Sequence, residues 1–148
     1  MGSVLDQALG EGSIRLKETC LNWKESFQVA GSALVESKRA TEDYIQEMIQ
    51  AFEELGPYMV IAPGIALAHG RPSESVLETG LSLVTLSNPI EFGHSSNDPV
   101  SLVIGLAAVD HDGHIDLMSA LAELLMNEET VNLLLNATNE SEVRSYLS

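Results

Sequence analysis

Four histidines, His69, His94, His111 and His114, are the side chains of this sequence best suited to chemistry near neutral pH. His69 has the most suggestive setting. It ends the apolar run of IALAHGRPSES, residues 65–75, and is followed by a Gly-Arg-Pro turn and by Ser73 and Ser75. A free imidazole titrates near ~6.5, so at neutral pH a ring nitrogen is available as a nucleophile. That nitrogen can attack phosphorus when an acceptor holds the other one. Gly70 lets the backbone approach the incoming group. Arg71 offers a planar cation to phosphoryl oxygens. Ser73 and Ser75 add hydroxyl and backbone donors just after Pro72, where a helical turn can start and its positive end favours an anion. Together these residues make a candidate phosphate or phosphohistidine site. The same pattern also suits a strand-end histidine satisfied by the backbone, with a surface arginine beside it.

Other chemistries have less support. His111 and His114 lie three apart in HDGH, which lacks the HExxH arrangement. A metal site there, with Asp110, Asp112 and Asp116, is the weaker reading, and no metal is expected. GxSxG, GxxxxGK[ST] and GxGxxG are all missing, which removes the usual hydrolase, nucleoside-triphosphate and dinucleotide signatures. Cys20 is the single cysteine and cannot form an internal disulfide. Lys17 and Lys24 are near it in sequence, but a lone cysteine at a helix start is more often inert than nucleophilic.

The formal net charge is −15, and five of the seven Lys and Arg residues lie at or before Arg39. Between Arg39 and Arg144 the one cation is Arg71. A phosphate-tracking surface needs clustered cations, so neither nucleic acid nor an anionic membrane is an expected partner. A partner with a neutral or positive face is. No apolar run reaches the roughly 18 residues of a membrane span, and the N-terminus does not read as a signal peptide. With one cysteine, these features predict a cytoplasmic protein.

The elements that must position His69 follow from periodicity. The 148 residues suit one domain. SVLDQALG predicts a short helix and SIRLKE a short strand. A helix over 22–37 is capped by Asn22, with Glu25 three residues on. A second helix is capped by Thr41 and ended by Gly56, with Tyr44, Ile45, Met48, Ile49 and Phe52 on one face. YMVIAP and IALA are short β-like apolar runs bounded by Pro and Gly, and the longer GLSLVTL and VSLVIGLAA read as strands covered on both faces. SNPIEFGHSSNDPV between the last two is rich in turn residues. HIDLMSALAELLM is helical, with Ile115, Met118, Leu121, Ala122 and Leu125 on one stripe. Two short helices follow, with Asn127 and Asn139 as caps. This order implies a layered α/β domain with a mixed sheet.

At the level of motifs, IAPGIALAHGRP resembles the active-site signature of the mannitol/fructose-type enzyme IIA components of the bacterial sugar phosphotransferase system. The likeness continues through FGHSSNDPVSLVIGLAA and into GHIDLMSALAELL, and covers roughly residues 13–148. GPYMVIAPG, HGRP, VTLSNPIEF, NDPV and AAVD followed by His114 are similar to the L-ascorbate-type branch. The resemblance implies a three-layer α/β/α sandwich with a central mixed β-sheet, as a single domain over residues 1–148. His69 would accept and donate the phosphoryl group, and His114 would be the second active-site histidine. Arg71 would stabilise phosphoryl charge, with Gly70, Ser73 and Ser75 as phosphate contacts. The implied relay runs from the phosphocarrier protein HPr to His69, then to a cysteine of a IIB component that serves a membrane IIC component. It needs no cofactor, and Cys20 is not that cysteine. An apolar rim from residues such as Ile65, Leu67 and Leu117, some of which must also serve the core, would help dock partners, and a homodimer is compatible with the pattern. Ala68 stands where the family usually has proline, and Glu53 and Glu54 lie in a segment where the mannitol branch has an arginine. A regulatory module phosphorylated by HPr, and a binding domain that keeps only the fold, are the alternative readings.

Overall fold

The computed structural model describes residues 3–147, apart from the side chains at positions 111, 113 and 114. Ser3 caps a short helix, α1 (Val4–Ala8), by accepting the Asp6 N–H at 3.2 Å. Strand β1 (Leu9–Glu18) follows directly, beginning at Leu9 rather than Ser13. Asn22 caps α2 (Trp23–Glu36) by accepting the Glu25 N–H at 2.9 Å, and the Glu25 carboxylate accepts the Leu21 N–H at 2.9 Å. Next comes α3 (Asp43–Leu55), which ends at Gly56. Its cap position is held by Glu42, not Thr41, and no side-chain hydrogen bond caps it. The Thr41 N–H is instead turned to the Ser75 carbonyl, 2.8 Å away.

A single 3-10 turn, Pro57–Met59, leads into the hairpin of β2 (Val60–Ala62) and β3 (Ile65–His69). Strands β4 (Gly80–Ile90) and β5 (Val100–Ala107) complete a five-stranded sheet of order β1-β4-β5-β3-β2. The β1–β4 and β3–β5 pairs are parallel and the other two antiparallel, so the sheet is mixed. β4 runs on to Ile90 through Ser87, Asn88 and Pro89, which the turn-rich composition assigns to a loop. Those three are exposed, and the ladder with β5 is irregular between Thr85 and Ile90, as a proline without an N–H requires.

Alternation along the strands feeds two cores, one on each side of the sheet. Ala66, Ala68, Val84 and Val103 face α2 and α3, where Phe27, Leu34 and Met48 pack. Ile65, Leu67, Leu83 and Ile104 face the other way, toward α1, α4 (His111–Leu125), α5 (Glu128–Asn136) and α6 (Glu140–Leu147). This is the expected α/β/α sandwich. Asn127 and Asn139 act as caps, accepting the N–H groups of Thr130 at 3.1 Å and Glu142 at 2.9 Å.

Two expectations about apolar faces are corrected. The buried stripe of α4 runs through Leu117 and Leu121, whereas Ile115 and Ala122 are exposed. The helix carries apolar residues on more than one face, so its periodicity permits either rotation. Ile65, Leu67 and Leu117, offered as a docking rim, are core residues at 4%, 2% and 5% exposure, because alternation turns them under the helices.

Candidate functional site

His69 is the last residue of β3 and pairs in register with Leu106 of β5. Its parity with Ile65 and Leu67 sends the imidazole to the face covered by α4. Nδ1 lies 3.0 Å from the Leu67 carbonyl oxygen. A carbonyl can only accept, so Nδ1 carries the proton of this bond, and in the neutral ring Nε2 is the nitrogen with the free lone pair. The strand end therefore presents a half-buried imidazole with Nδ1 as the donor.

Helix α3 holds the turn after His69 with two residues one helical turn apart. The Tyr44 hydroxyl accepts the Gly70 N–H at 2.9 Å and donates to the Leu106 carbonyl at 2.7 Å. Burial raises the Tyr44 phenol to about 12, so the donor is retained at physiological pH. The ring lies so close that a Cβ on residue 70 would sit 3.1 Å from Cε1, which accounts for glycine there. Glu47 accepts the Ser73 hydroxyl at 2.6 Å with one carboxylate oxygen and the Ser75 hydroxyl with the other. The Ser75 N–H in turn reaches the Ser73 hydroxyl at 3.1 Å. The donors of Gly70, Ser73 and Ser75 named as phosphate contacts are thus engaged by protein groups.

Arg71 is exposed and lines a hollow of about 190 Å³ with Glu47, Gln50, Ala51 and Glu54. It makes no ion pair among the described residues. Further along the loop, the Leu77 N–H donates to the Arg39 carbonyl at 2.8 Å, and the Arg39 guanidinium donates to the Thr79 carbonyl at 2.8 Å. The Thr79 hydroxyl accepts the Val109 N–H at 3.0 Å. Val109 lies in the connection from β5 to α4, so the His69 loop and the start of α4 are tied together. Position 114 falls in the first turn of α4; the His114 side chain lies outside the described residues, as does that of His111.

His94 belongs to a different place. It precedes β5, whereas His69 pairs near the end of that strand, and the six residues from Val100 to Leu106 span roughly 20 Å. Its Nδ1 accepts the N–H groups of Ser96 at 3.1 Å and Asn97 at 3.0 Å, which makes it a loop anchor. Asp98 acts in the same loop, accepting the N–H groups of Phe92, Gly93 and His94. Cys20 is buried at 2% exposure, and burial, Glu25 and Glu18 push its thiol pKa up, which disfavours the reactive thiolate. Among the described residues no cluster of three metal-ligating side chains occurs.

His69 thus stands at the end of β3 with Nδ1 on the Leu67 carbonyl, and α4, which carries position 114, follows β5 in the chain. The family model described as "Phosphoenolpyruvate-dependent sugar phosphotransferase system, EIIA 2" matches residues 7–148. The chain belongs to this EIIA family. An ascorbate-specific EIIA component of Escherichia coli (strain K12) is 41% identical over 132 residues, 88% of this chain and 86% of the relative. The solution structure of a mannitol-specific cryptic phosphotransferase enzyme IIA from Escherichia coli is 34% identical, with TM-score 0.86 over 99% of both chains. The mannitol enzyme IIA solved in complex with phosphorylated mannitol enzyme IIB, also from Escherichia coli, has TM-score 0.82 at 29% identity, over 94% of this chain and 96% of that one. Nitrogen regulatory protein IIA-Ntr from Neisseria meningitidis has TM-score 0.82 at 25% identity, over 99% and 100%.

Within this EIIA domain, Ala68 in place of proline does not leave the turn loose. Ala68 is fully buried and paired with Gly105, His69 is paired with Leu106, and the Gly70 N–H is bound by Tyr44. Sequence reasoning singled out His69 and its loop but missed Tyr44 and Glu47 as their holders. The available signal was a tyrosine within the apolar stripe of α3, since a buried phenol needs a polar partner.

Proposed function

We propose that this chain is the cytoplasmic phosphoryl carrier of a phosphoenolpyruvate-dependent sugar phosphotransferase system, and that L-ascorbate is the substrate taken up. The observation that carries this reading is the His69 tautomer, with Nδ1 tied to the Leu67 carbonyl, in a chain of the EIIA family. Nε2 attacks the phosphorus of a phosphohistidine on HPr. The donor's P–N bond breaks, its electron pair returns to the donor ring, and a P–Nε2 bond forms. A thiolate of a IIB component next attacks phosphorus, and the P–Nε2 electrons return to His69. IIB then serves the membrane IIC component. Nδ1 keeps its proton throughout. Such transfers need in-line positioning and charge stabilisation rather than covalent machinery. His114 orients or hydrogen-bonds the phosphoryl group. Arg71, turned out of its hollow, stabilises its charge. Gly70, Ser73 and Ser75 serve the phosphate through the loop they stabilise, and reach it directly only when their present partners are released.

Both partners need a docking surface around the strand ends. Leu77, Val109 and Ile115 are exposed by 56%, 48% and 57%, and lie on the His69 loop, the β5–α4 connection and the first turns of α4. This is the rim assigned to docking, in place of the buried residues. The net charge of −15 favours cationic partners and speeds their encounter. Ascorbate specificity rests on the identity to ascorbate-specific EIIA components. A second reading, a module that controls a partner after phosphorylation by HPr, is supported by the likeness to the nitrogen regulatory protein.

The test is phosphotransfer with purified components: phosphoenolpyruvate, enzyme I and HPr, with mapping of acid-labile phosphate. Wild type is expected to be labelled at His69, His69→Ala to stay blank and His114→Ala to label more slowly. Onward transfer to the cysteine of an ascorbate-type IIB supports the transport role. Labelling of His69 with no transfer to any IIB would support the regulatory one. An unlabelled wild type sinks both.

A further inference from the structure

We propose that the Tyr44 hydroxyl is a positioning group for phosphoryl transfer, clipping the end of the His69 strand to the end of the strand that leads into α4. This rests on the reading of His69 as the phosphoryl carrier. Tyr44 is 1% exposed, yet both hydrogen-bonding functions of its hydroxyl are used. It accepts from Gly70, the residue after His69, and donates to Leu106, the register partner of His69 on β5. One oxygen atom thus bridges both strand ends from the α3 side, while the imidazole leaves the same strand end on the α4 side. From Leu106 the chain needs only Ala107–Asp110 to reach the start of α4, whose first turn carries position 114. The separation between the Nε2 nucleophile and the start of α4 is therefore set from behind the sheet.

The apolar stripe of α3 does not ask for this hydroxyl. Phenylalanine would fill the same space against Gly70, so the polar atom is what tyrosine adds. Its loss removes the Tyr44 donor from the buried Leu106 carbonyl and releases the Gly70 N–H, which frees the backbone on the carboxyl side of His69. In-line transfer is sensitive to small displacements, of order 10²-fold for ~1 Å. The hydroxyl touches neither the phosphoryl group nor the partner, so the defect belongs in the chemical step and not in partner binding.

Tyr44→Phe tests this in single-turnover phosphorylation by phospho-HPr. The expected result is a rate at saturating donor lowered tenfold or more, with the half-saturating donor concentration within twofold of wild type. Phe52→Leu, at the far end of the same helix, controls for loss of stability and should keep the rate within twofold. A folded Tyr44→Phe that is phosphorylated at the wild-type rate overturns the proposal. So does a defect seen only in donor affinity. Should Tyr44→Phe not fold, amide exchange in wild type decides: protection of the Gly70 N–H supports the clip, and free exchange there overturns it. A wild type that takes no phosphoryl group at all is a different failure, of the carrier reading itself, and removes the reaction that Tyr44 would serve.

Discussion

Asp98→Ala should cost substantial stability while leaving the chemistry at His69 unchanged. Asp98 accepts the Phe92 N–H at 3.0 Å on each oxygen, the Gly93 N–H at 2.7 Å and the His94 N–H at 3.0 Å. Hydrogen bonds to a charged group contribute up to about 1.5–3 kcal/mol each. Three such donors set an upper bound well above the expected loss, because Asp98 is half-buried and water can reach the freed amide of exposed Gly93. We therefore expect about 2–4 kcal/mol. Part of it comes through Phe92, 5% exposed, whose ring lies 6.0 Å from Phe27 and 5.9 Å from Phe52. With a urea m-value of roughly 2 kcal/mol/M, the midpoint should fall by roughly 1–2 M. Asp98→Asn keeps one acceptor but turns an NH2 toward backbone donors, so it should recover less than half the loss. His69 pairs near the other end of β5, and its phosphorylation rate should stay within twofold below the unfolding transition. An unchanged urea midpoint would refute the assignment. So would lost phosphorylation in a protein of normal stability, because Asp98 would then be acting on the site.

Three further outcomes follow from single residues. The folded Tyr44 phenol is raised to about 12 from an ordinary value near 10, so the unfolded state loses this proton first. That contribution to stability is complete below pH 10 and is lost as pH rises toward 12, by about 2–3 kcal/mol; the difference between wild-type and Tyr44→Phe denaturation curves over that range isolates it. Cys20 should not react with an aromatic disulfide reagent until the protein is unfolded in urea, and Cys20→Ala should accept phosphate normally. Gly105→Ala would place a Cβ 2.2 Å from the Ser82 hydroxyl, which donates to Ala30 at 2.8 Å. A loss of about 2–3 kcal/mol by thermal melting is expected, part of it recovered by adding Ser82→Ala.

The fold was legible where one local rule suffices. Asn22, Asn127 and Asn139 announce helix starts because their side chains accept N–H groups three residues on. Apolar runs announce strands buried on both faces. Legibility failed where tertiary contacts choose between locally equal options. Thr41 has the chemistry of a cap, but its N–H pairs with Ser75 and the helix starts one residue later. α4 has apolar residues enough for two rotations, and the sheet buries Leu117 and Leu121 rather than Ile115. Of the site, the placement of His69 at a strand end, with a turn-rich loop after it, was readable from types and spacing. Tyr44 and Glu47 were not, because they lie 25 and 22 positions before His69 and meet its loop through α3 packing.

The buried rim and the exposed one differ for a geometric reason. Within a parallel pair covered on both faces, every strand residue belongs to one core or the other, so Ile65 and Leu67 have no route to a partner. On the proposed relay, a surface that faces two proteins in turn has to come from beyond the strand ends, where alternation stops. Leu77, Val109 and Ile115 lie there. Loops and first helical turns are mobile by default, yet phosphoryl transfer requires fixed distances. The inward bonds of the same segments meet that requirement: Gly70 to Tyr44, Ser73 and Ser75 to Glu47, and Val109 to Thr79. Backbone and polar groups point in and hold the loop, while apolar side chains point out and are free to dock. Substitutions of the outward set should change partner affinity, and substitutions of the inward set should change the rate once the partner is bound.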